Sequence, residues 1–456
     1  MPSSSKPLDR SSPPAPGPIR PFHLPDLHVD VLGNRLRVRS LFRGEVPLVS
    51  VAVVLDAGEV RIAEGLEGLA VLTGDSIQGG TEHRTGVELA EDLERLGTEL
   101  RVSTGWDATT VAFTCVAERV DEVLGLAAEV LRQPSFPDQE VARVRQQRLA
   151  AIRQRSQEPD QLADDHLARE VFSAGHPYHR PLAGEEDSVT TLGPRETREF
   201  AEGHYQADRA GIVLVGDLGA ARVLELAERH FGDWNPGDFK AEAVPRPDWA
   251  EARSLLVVDR PGSVQSEIRI GHPAPSRGHP DEIPLRVGNT VLGGAFTSRL
   301  NLSLREEHGF TYGVHSRLSF RRSGGLARIS TAVQTEVTAA ALGEATRVFE
   351  AFASEGPTPE ELERARDYMA GVFPLRMETT AQLASRVAEL LVYQLPDDYH
   401  HRYRERIRAV DGERVRVAVR EHLRPERASI VVVGDAARVV PEIEALGLGA
   451  VRVREP

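Results

Sequence analysis

An internal repeat constrains this chain more than any other feature of its sequence. Residues 198–217 and 416–435 each combine a helix-like run, a polar turn, an apolar run and a closing Gly-Asp pair. A second matched pair surrounds Pro137 and Pro359, at nearly the same offset. Because order and spacing agree in both pairs, the sequence predicts two similar halves, each a separate folding unit.

Each half shows the same order of predicted elements. Apolar runs predict strands, and apolar residues at helical spacing predict the helices that follow them. The predicted strands are 49–55 and 267–271, the first helices 63–78 and 281–292, and the hairpin turns 105–107 and 322–325. Capping signatures at Thr85 with Glu88, and at Thr358 with Glu361, mark two further helix starts. This order predicts an α+β fold of two tandem homologous domains, each a mixed or antiparallel sheet with helices mainly on one face.

Composition suggests where the domains begin and end. We expect a Pro- and Ser-rich disordered tail over residues 1–22, a first domain over 23–234 and a second domain over 253–456. The linker between them, residues 235–252, contains Pro236, Pro245 and Pro247, which interrupt regular structure. Such a linker allows the two domains to face each other like a clamp.

Charge and cysteine content exclude several function classes. The net charge of -14 argues against nucleic acid and against an anionic membrane as partners. No apolar run approaches the length of a membrane span, and the first twenty residues lack the layout of a secretory signal, so we expect a cytoplasmic protein. The lone Cys115 excludes an internal disulfide, and its place in the predicted strand 111–116 favours a buried, inert thiol.

Several phrases along the chain resemble the insulinase and mitochondrial-processing-peptidase family of zinc metallopeptidases. They are Phe172-Ser-Ala-Gly-His-Pro-Tyr178, the two Gly-Asp strand ends and the segment from Gly293 to Leu300. The resemblance extends over nearly the whole chain. It implies a chamber for peptides, formed between two homologous two-domain subunits.

The zinc motif that this resemblance implies is degenerate. Catalytic members carry His-x-x-Glu-His on the first long helix, where two histidines bind zinc and the glutamate activates water. Here the corresponding positions are Val71, Gly74 and Asp75, and the region of the third ligand, residues 148–153, contains no acid. We therefore expect no metal site, no zinc cofactor and no catalytic residue in this chain.

Other chemistry finds little support in the sequence. The histidine pairs His176 with His179 and His400 with His401 are predicted to lie in surface loops rather than to bind metal, and Asp75 alone would bind a hard cation only weakly. There is no nucleophile elbow, phosphate-binding loop or dinucleotide fingerprint.

The second half keeps a segment that resembles the family's substrate-binding motif. Arg305-Glu-Glu-His-Gly-Phe-Thr-Tyr312 ends a predicted helix over 298–308 and leads into a strand. The resemblance implies that Arg305 and Tyr312 reach the substrate backbone near the scissile bond. A guanidinium fork and a phenol hydroxyl suit that role, because both donate hydrogen bonds to a carbonyl oxygen or an oxyanion.

Two functions follow as hypotheses. In the first, the chain is a non-catalytic, substrate-binding subunit whose homologous partner carries His-x-x-Glu-His, supplies the zinc and cuts the peptide. In the alternative, it is a structural or chaperone-like homodimer, as the respiratory-complex core proteins of the family suggest, and Arg305 and Tyr312 are dispensable. An enzyme with independent chemistry is a third hypothesis that a metal analysis and a peptidase assay would test.

Overall fold

The structure is a computed structural model that describes residue 17, residues 21–238 and residues 243–456. Most of the predicted tail, and residues 239–242 of the predicted linker, lie outside the described residues. The strands of the first half are β1 Leu27–Val31, β2 Arg37–Phe42, β3 Leu48–Leu55, β4 Arg101–Thr104, β5 Thr109–Val116 and β6 Ala210–Gly216. Those of the second half are β7 Ser254–Asp259, β8 Gln265–Ala274, β9 Val314–Phe320, β10 Gly325–Gln334, β11 Ser429–Gly434 and β12 Val451–Arg454.

Helices fill the intervals between these strands. Those of the first half are α1 Leu69–Ser76, α2 Gly86–Arg95, α3 Val120–Arg132, α4 Asp138–Gln157, α5 Pro159–Val171, α6 Glu186–Thr191, α7 Pro194–His204 and α8 Ala220–Phe231. Those of the second half are α9 Glu282–Asn289, α10 Thr338–Glu355, α11 Pro359–Val372, α12 Thr380–Tyr393, α13 Tyr403–Ala409, α14 Gly412–His422 and α15 Ala436–Ala445. Two π-helical segments, Thr290–Gly294 and Asn301–Glu307, extend or follow α9.

The two sheets share one topology, which confirms the predicted duplication. Their strand orders are β1-β2-β6-β3-β5-β4 and β12-β7-β11-β8-β10-β9. In each sheet one central pair is parallel, β2 with β6 and β7 with β11, and the strands on the far side of β6 and β11 are antiparallel. The outermost pairs differ, since β1 is antiparallel to β2 whereas β12 is parallel to β7. Only the outermost strand differs, because β1 precedes the first sheet in sequence whereas β12 follows the second.

Most predicted elements are present, and the first helix is the main correction. Both capping boxes form, at Thr85 before α2 and at Thr358 before α11. The helix predicted over 63–78 begins only at Leu69, because Gly65 and Gly68 have φ values of +87° and +90° and turn the chain before it. The helix predicted over 281–292 is confirmed as α9 with its π-helical extension.

Each sheet packs its own helices on one face, as predicted, and a helix of the other domain on the opposite face. Alternate residues of β3 and β6 divide between these layers: Val53 and Ile212 face the first domain's own core, whereas Val54 and Val213 pack against α12. In the second domain, Leu256 of β7 and other strand residues pack against α5 of the first domain. The two domains therefore exchange one helix each.

A glycine in each sheet admits a leucine from the exchanged helix. A Cβ atom at Gly211 of β6 would lie 2.7 Å from Leu391 of α12, and one at Gly271 of β8 would lie 2.9 Å from Leu167 of α5. Any larger side chain at either position would push the helix off the sheet. The exchange is therefore built into both halves in the same way.

The two hairpin turns meet at the domain interface. Arg322, in the β9–β10 turn, pairs with Asp56 at 2.6 Å and donates its backbone N–H to Asp107, in the β4–β5 turn, at 3.1 Å. Burial alone would raise the pKa of Asp56, but Arg322 and Arg61 outweigh it and lower that pKa below its usual value. These partly buried contacts tie the hairpin turns of the two domains to each other.

Candidate functional site

The positions predicted to form a degenerate zinc motif lie on α1, and their side chains do not supply the donors of a zinc site. Val71 is buried in the core of the first domain and has no donor atom. Gly74 packs against the edge strand β4, and a Cβ atom there would lie only 2.3 Å from the Thr104 hydroxyl. A glutamate at position 74 would require the Thr104 side chain to move. The position of the general base has thus been closed by packing as well as by substitution.

An ion pair joins the two helices that zinc would otherwise bridge. Asp75 of α1 pairs with Arg148 of α4, the helix on which catalytic relatives are expected to carry the third ligand. The guanidinium brings a positive charge to the one carboxylate of the motif and so competes with any cation for it. Val71, Gly74, Asp75 and Arg148 together do not fit a zinc ion.

A buried glutamate contacts the start of α1, and the sequence does not predict it. Glu59 is fully buried, and its Oε1 accepts a hydrogen bond from the backbone N–H of Gly68 at 2.6 Å. Burial raises the pKa of Glu59 to about 8, although the helix N–H groups and nearby Arg180 oppose the increase. No sequence pattern marks this contact, because the eight residues between Glu59 and Gly68 form an irregular connection.

Arg305 and Tyr312 lie at the two ends of the turn that leads into β9. Arg305 belongs to the π-helical segment Asn301–Glu307, and its guanidinium lies over the Phe296 ring, 4.5 Å from the centroid. Tyr312 precedes β9 and is 98% exposed. Within the described residues, Arg305 contacts only Glu306 at 3.5 Å as an ion pair, and the Tyr312 hydroxyl has no hydrogen-bond partner. Both polar groups are available to a ligand or a partner.

The base of this turn is rigid although its tip is exposed. Asn301 donates to the carbonyl of Val314 at 2.8 Å and accepts from its N–H at 3.2 Å, which imitates a neighbouring strand. Thr311 donates to the carbonyl of Ala332 at 2.8 Å. Gly309, with φ +64°, ends the helical segment where the sequence predicted. Arg305 and Tyr312 are therefore held on ordered backbone.

The prediction that the paired histidines lie on the surface is wrong for one member of each pair. His176 is buried, accepts the N–H of Tyr178 at 3.1 Å and contacts the carbonyl of Pro245 at 3.0 Å. His400 is also buried and bonds the carbonyl of Arg386 at 2.7 Å. Burial lowers the pKa of His400 to about 4. These imidazoles satisfy backbone groups inside the fold, a role that sequence spacing does not reveal.

Among the described residues, one group brings together three potential metal donors, His279, Asp281 and His422. Asp281 already pairs with Arg414 and accepts from His422 at 3.0 Å. The backbone N–H of Asp281 also donates a hydrogen bond to Nδ1 of His279, at 3.1 Å. The carboxylate is thus already paired with the Arg414 guanidinium, and the cluster serves to join α14 to the start of α9.

Three neighbouring hollows connect the region of Phe296 with the first domain. The hollow beside Phe296, of about 250 Å³, shares Thr290 and Tyr368 with a cavity of about 480 Å³ beside β9. That cavity shares Glu389 and Tyr393 with a larger hollow of about 890 Å³ between α12 and strands β4 and β5. Volumes in this range are typical of ligand sites.

Comparison with known proteins gives a consistent result. The family model of the insulinase peptidases, family M16, matches residues 43–186, and the model of the M16 inactive domain matches residues 192–369. The uncharacterized zinc protease YmxG of Bacillus subtilis is 23% identical over 78% of this chain and 84% of its own length. The non-peptidase homolog YmxG of Helicobacter pylori is 24% identical over 78% of this chain and 82% of its own.

Two further similarities bear on fold and function. Subunit 1 of the mitochondrial cytochrome b-c1 complex of Bos taurus is 24% identical over 59% of this chain and 56% of its own length. A crystal structure of a peptidase M16 inactive domain from Pseudomonas fluorescens superimposes with a TM-score of 0.85, at 24% identity, over 90% of this chain and 98% of that one. Within the part of the chain that the structure describes, no helix is long and apolar enough to cross a membrane. The duplicated fold and the two matching family models establish that the chain belongs to the insulinase family of peptidases, M16.

Proposed function

We propose that this chain is the non-catalytic, substrate-binding subunit of a heterodimeric zinc metallopeptidase. A homologous partner with His-x-x-Glu-His would supply the zinc and the general base. This chain would supply Arg305 and Tyr312. The observation that carries the proposal is a contrast within one molecule: Thr104 and Arg148 crowd the positions of its own metal site, whereas Tyr312 is exposed and Arg305 is half-buried beside it on ordered backbone.

The geometry of Arg305 suits contact with a peptide held by another subunit. Its guanidinium stacks on Phe296, itself 66% exposed, so the stacking orients the charge without consuming its hydrogen-bond donors. The donors can then grip a peptide carbonyl in the bidentate manner of arginine. A phenol at position 312 adds one further donor. An exposed, unpaired tyrosine has no evident structural role in an isolated subunit.

A structural or chaperone-like homodimer remains the second candidate. The similarity to a cytochrome b-c1 subunit and to a non-peptidase homolog favours it. In such an assembly, Arg305 and Tyr312 would be dispensable for function. The two candidates therefore differ in what a substitution at either residue does.

The experiment is co-expression of this chain with a homologue that carries His-x-x-Glu-His. Complex formation is measured by size-exclusion chromatography with light scattering, and turnover with a quenched fluorescent peptide. We expect Arg305→Ala to lower kcat/KM by about 100-fold, the usual effect of removing one oxyanion donor, without weakening assembly. Arg305→Lys should recover only part of that loss, because a lysine lacks the planar fork.

The matched control is Arg427→Ala, which removes an exposed arginine on a turn of the second domain remote in sequence from β9. It should leave both assembly and turnover unchanged. Turnover that is equal in the Arg305→Ala and Arg427→Ala complexes would contradict the proposed role. A homodimer that ignores the zinc-bearing homologue would favour the second candidate instead.

A further inference from the structure

We propose that the cavity beside β9 binds a carboxylate-bearing peptide in extended form, and so gives this subunit a preference for acidic peptide segments. The inference rests on the proposed function, because it names the class of peptide that the subunit would bind. Its experimental test is nevertheless separate, since it needs only this chain and a peptide. Three features of the molecule support it: the charge of the cavity wall, the free edge of β9 and the position of the cavity next to Phe296.

The wall of the cavity is strongly cationic. Its lining includes five arginines: Arg277, Arg286, Arg317, Arg376 and Arg386. The acid in that lining is Glu389, which pairs with Arg386 at 2.6 Å and Arg277 at 3.2 Å. Behind the wall, the buried Glu282 pairs with Arg277 and with Arg286. Two carboxylates thus face five guanidinium groups, and three positive charges remain uncompensated by these pairs.

The surplus charge is concentrated on two side chains that face solvent. Arg317 of β9 and Arg376 are exposed, and neither forms an ion pair with any described residue. Among the residues that the structure describes, most other arginines do form ion pairs, as the net charge of -14 leads one to expect. Two unpaired guanidinium groups beside one cavity are an attractive site for carboxylates, which arginine binds with two parallel hydrogen bonds.

The edge of β9 offers main-chain hydrogen bonds inside the same cavity. β9 is the last strand of its sheet, and side chains cover the first part of its outer edge: Asn301 bonds Val314, and Asn289 donates to the carbonyl of Ser316 at 3.0 Å. Peptide groups alternate in direction along a strand, so the next outward-facing groups belong to Leu318 and Phe320.

Both of these residues line the cavity. No loop or side chain among the described residues bonds the main-chain groups of Leu318. An extended peptide can therefore add to β9 as a further strand at this point, with backbone hydrogen bonds supplying affinity and the arginines selecting acidic side chains. The phenol ring of Tyr368, half exposed at the cavity's rim, offers it an apolar surface.

The cavity is placed to receive the continuation of a peptide held at Arg305. Thr290 and Tyr368 line both this cavity and the hollow that contains Phe296. Phe296 in turn supports Arg305. The acidic preference would then apply to residues some distance from the bond that the partner cuts, on the side that runs along β9.

The experiment measures binding of fluorescein-labelled peptides to the purified full-length chain by fluorescence anisotropy. The probe is an extended peptide of alternating Glu and Thr, compared with its Gln/Thr isostere, each with a free or an amidated C terminus. We expect the acidic peptide to bind at least about tenfold more tightly than the isostere, and its affinity to fall as salt is raised, because the arginines are exposed to counterions. A difference between free and amidated forms would show whether the terminal carboxylate contributes.

Substitutions in the protein and N-methylation of the peptide together localise the binding of the acidic peptide. Arg317→Glu with Arg376→Glu should weaken the acidic peptide by about tenfold or more and leave the isostere unchanged, whereas the control Arg427→Glu should change neither. Two N-methylated forms of the peptide are compared, one with its odd-numbered and one with its even-numbered amides methylated. If the peptide adds to β9 as a strand, one form should lose binding and the other should keep it. Circular dichroism and thermal unfolding check that each variant is folded.

The outcomes separate this inference from the proposed function. Equal binding of the acidic peptide and its isostere, or equal binding by the double variant and the wild-type chain, overturns the acidic preference even when Arg305→Ala still impairs the heterodimer. Loss of the Arg305 effect with the charge preference intact overturns the proposed role of Arg305 and leaves the cavity as a binding site. Absence of peptide binding to the chain overturns the inference outright.

Discussion

Shortening Leu391 to alanine tests whether the exchanged helices make the two domains one cooperative unit. Leu391 lies on α12 of the second domain, is 5% exposed and packs over Gly211 in the middle of the first sheet. Removing three carbon atoms from this contact costs about 2.4 kcal/mol in transfer free energy. A glycine on a central strand has no side chain that could fill the space, so a cavity of about 80 Å³ would add about 2 kcal/mol. We therefore expect a loss of about 4 kcal/mol in the free energy of unfolding.

Urea unfolding measures this loss in each half separately. Trp234 is buried in the first domain's core, and Trp249 stacks on His272 of the second sheet at 5.2 Å. Variants that keep one of these two tryptophans and also have Trp106 replaced by phenylalanine report on one half each. With an m-value of about 4 kcal/mol/M for a chain of this length, the midpoint should fall by about 1 M. Both reporters should shift together.

A control and a refuting result complete the test. Leu224→Ala removes the same atoms from a leucine of α8 that is 37% exposed, and it should change the free energy of unfolding by less than about 0.5 kcal/mol. A transition in which the Trp234 signal shifts while the Trp249 signal stays at the wild-type midpoint would refute the reasoning. It would mean that the exchanged helix covers the first sheet without linking the two halves.

Three further predictions concern single side chains. Gly74→Ala should destabilise the first domain by about 1–3 kcal/mol because its Cβ would meet the Thr104 hydroxyl, and adding Thr104→Ala should restore most of that loss in a thermal unfolding series. Glu59, with its pKa raised to about 8, keeps a proton in the folded state that the unfolded chain releases above about pH 4.5. The free energy of unfolding should therefore fall as the pH rises from about 5 to about 8. Glu59→Gln should flatten that part of the plot of unfolding free energy against pH. A profile of unchanged slope in Glu59→Gln would contradict this. Cys115, whose thiol pKa burial raises to about 11, should resist alkylation at pH 8 until the chain is unfolded in urea, and rapid modification of the native protein would contradict its burial.

Many residues of the candidate site could be predicted from the sequence, but the side chains that surround them could not. The degenerate positions Val71, Gly74 and Asp75 follow from a motif frame, and the place of Arg305 at a helix end follows from Gly309. The pairing of Asp75 with Arg148 joins residues 73 positions apart, on helices whose mutual packing no local pattern specifies. The stacking of Arg305 on Phe296 likewise depends on a turn between two π-helical segments.

The sequence by itself determined the duplication, the hairpin and several helices of each half, and the absence of zinc-binding residues at Val71 and Gly74, because these depend on local pattern and residue identity. It did not predict the strands β1, β2, β7 and β12. Only the tertiary structure decided that α5 and α12 are exchanged between the domains. A run of apolar residues fixes which face of a helix is buried, but does not identify the sheet that buries it. The cationic cavity arises for the same reason, since its arginines come from segments between residues 277 and 386 that the fold alone brings together.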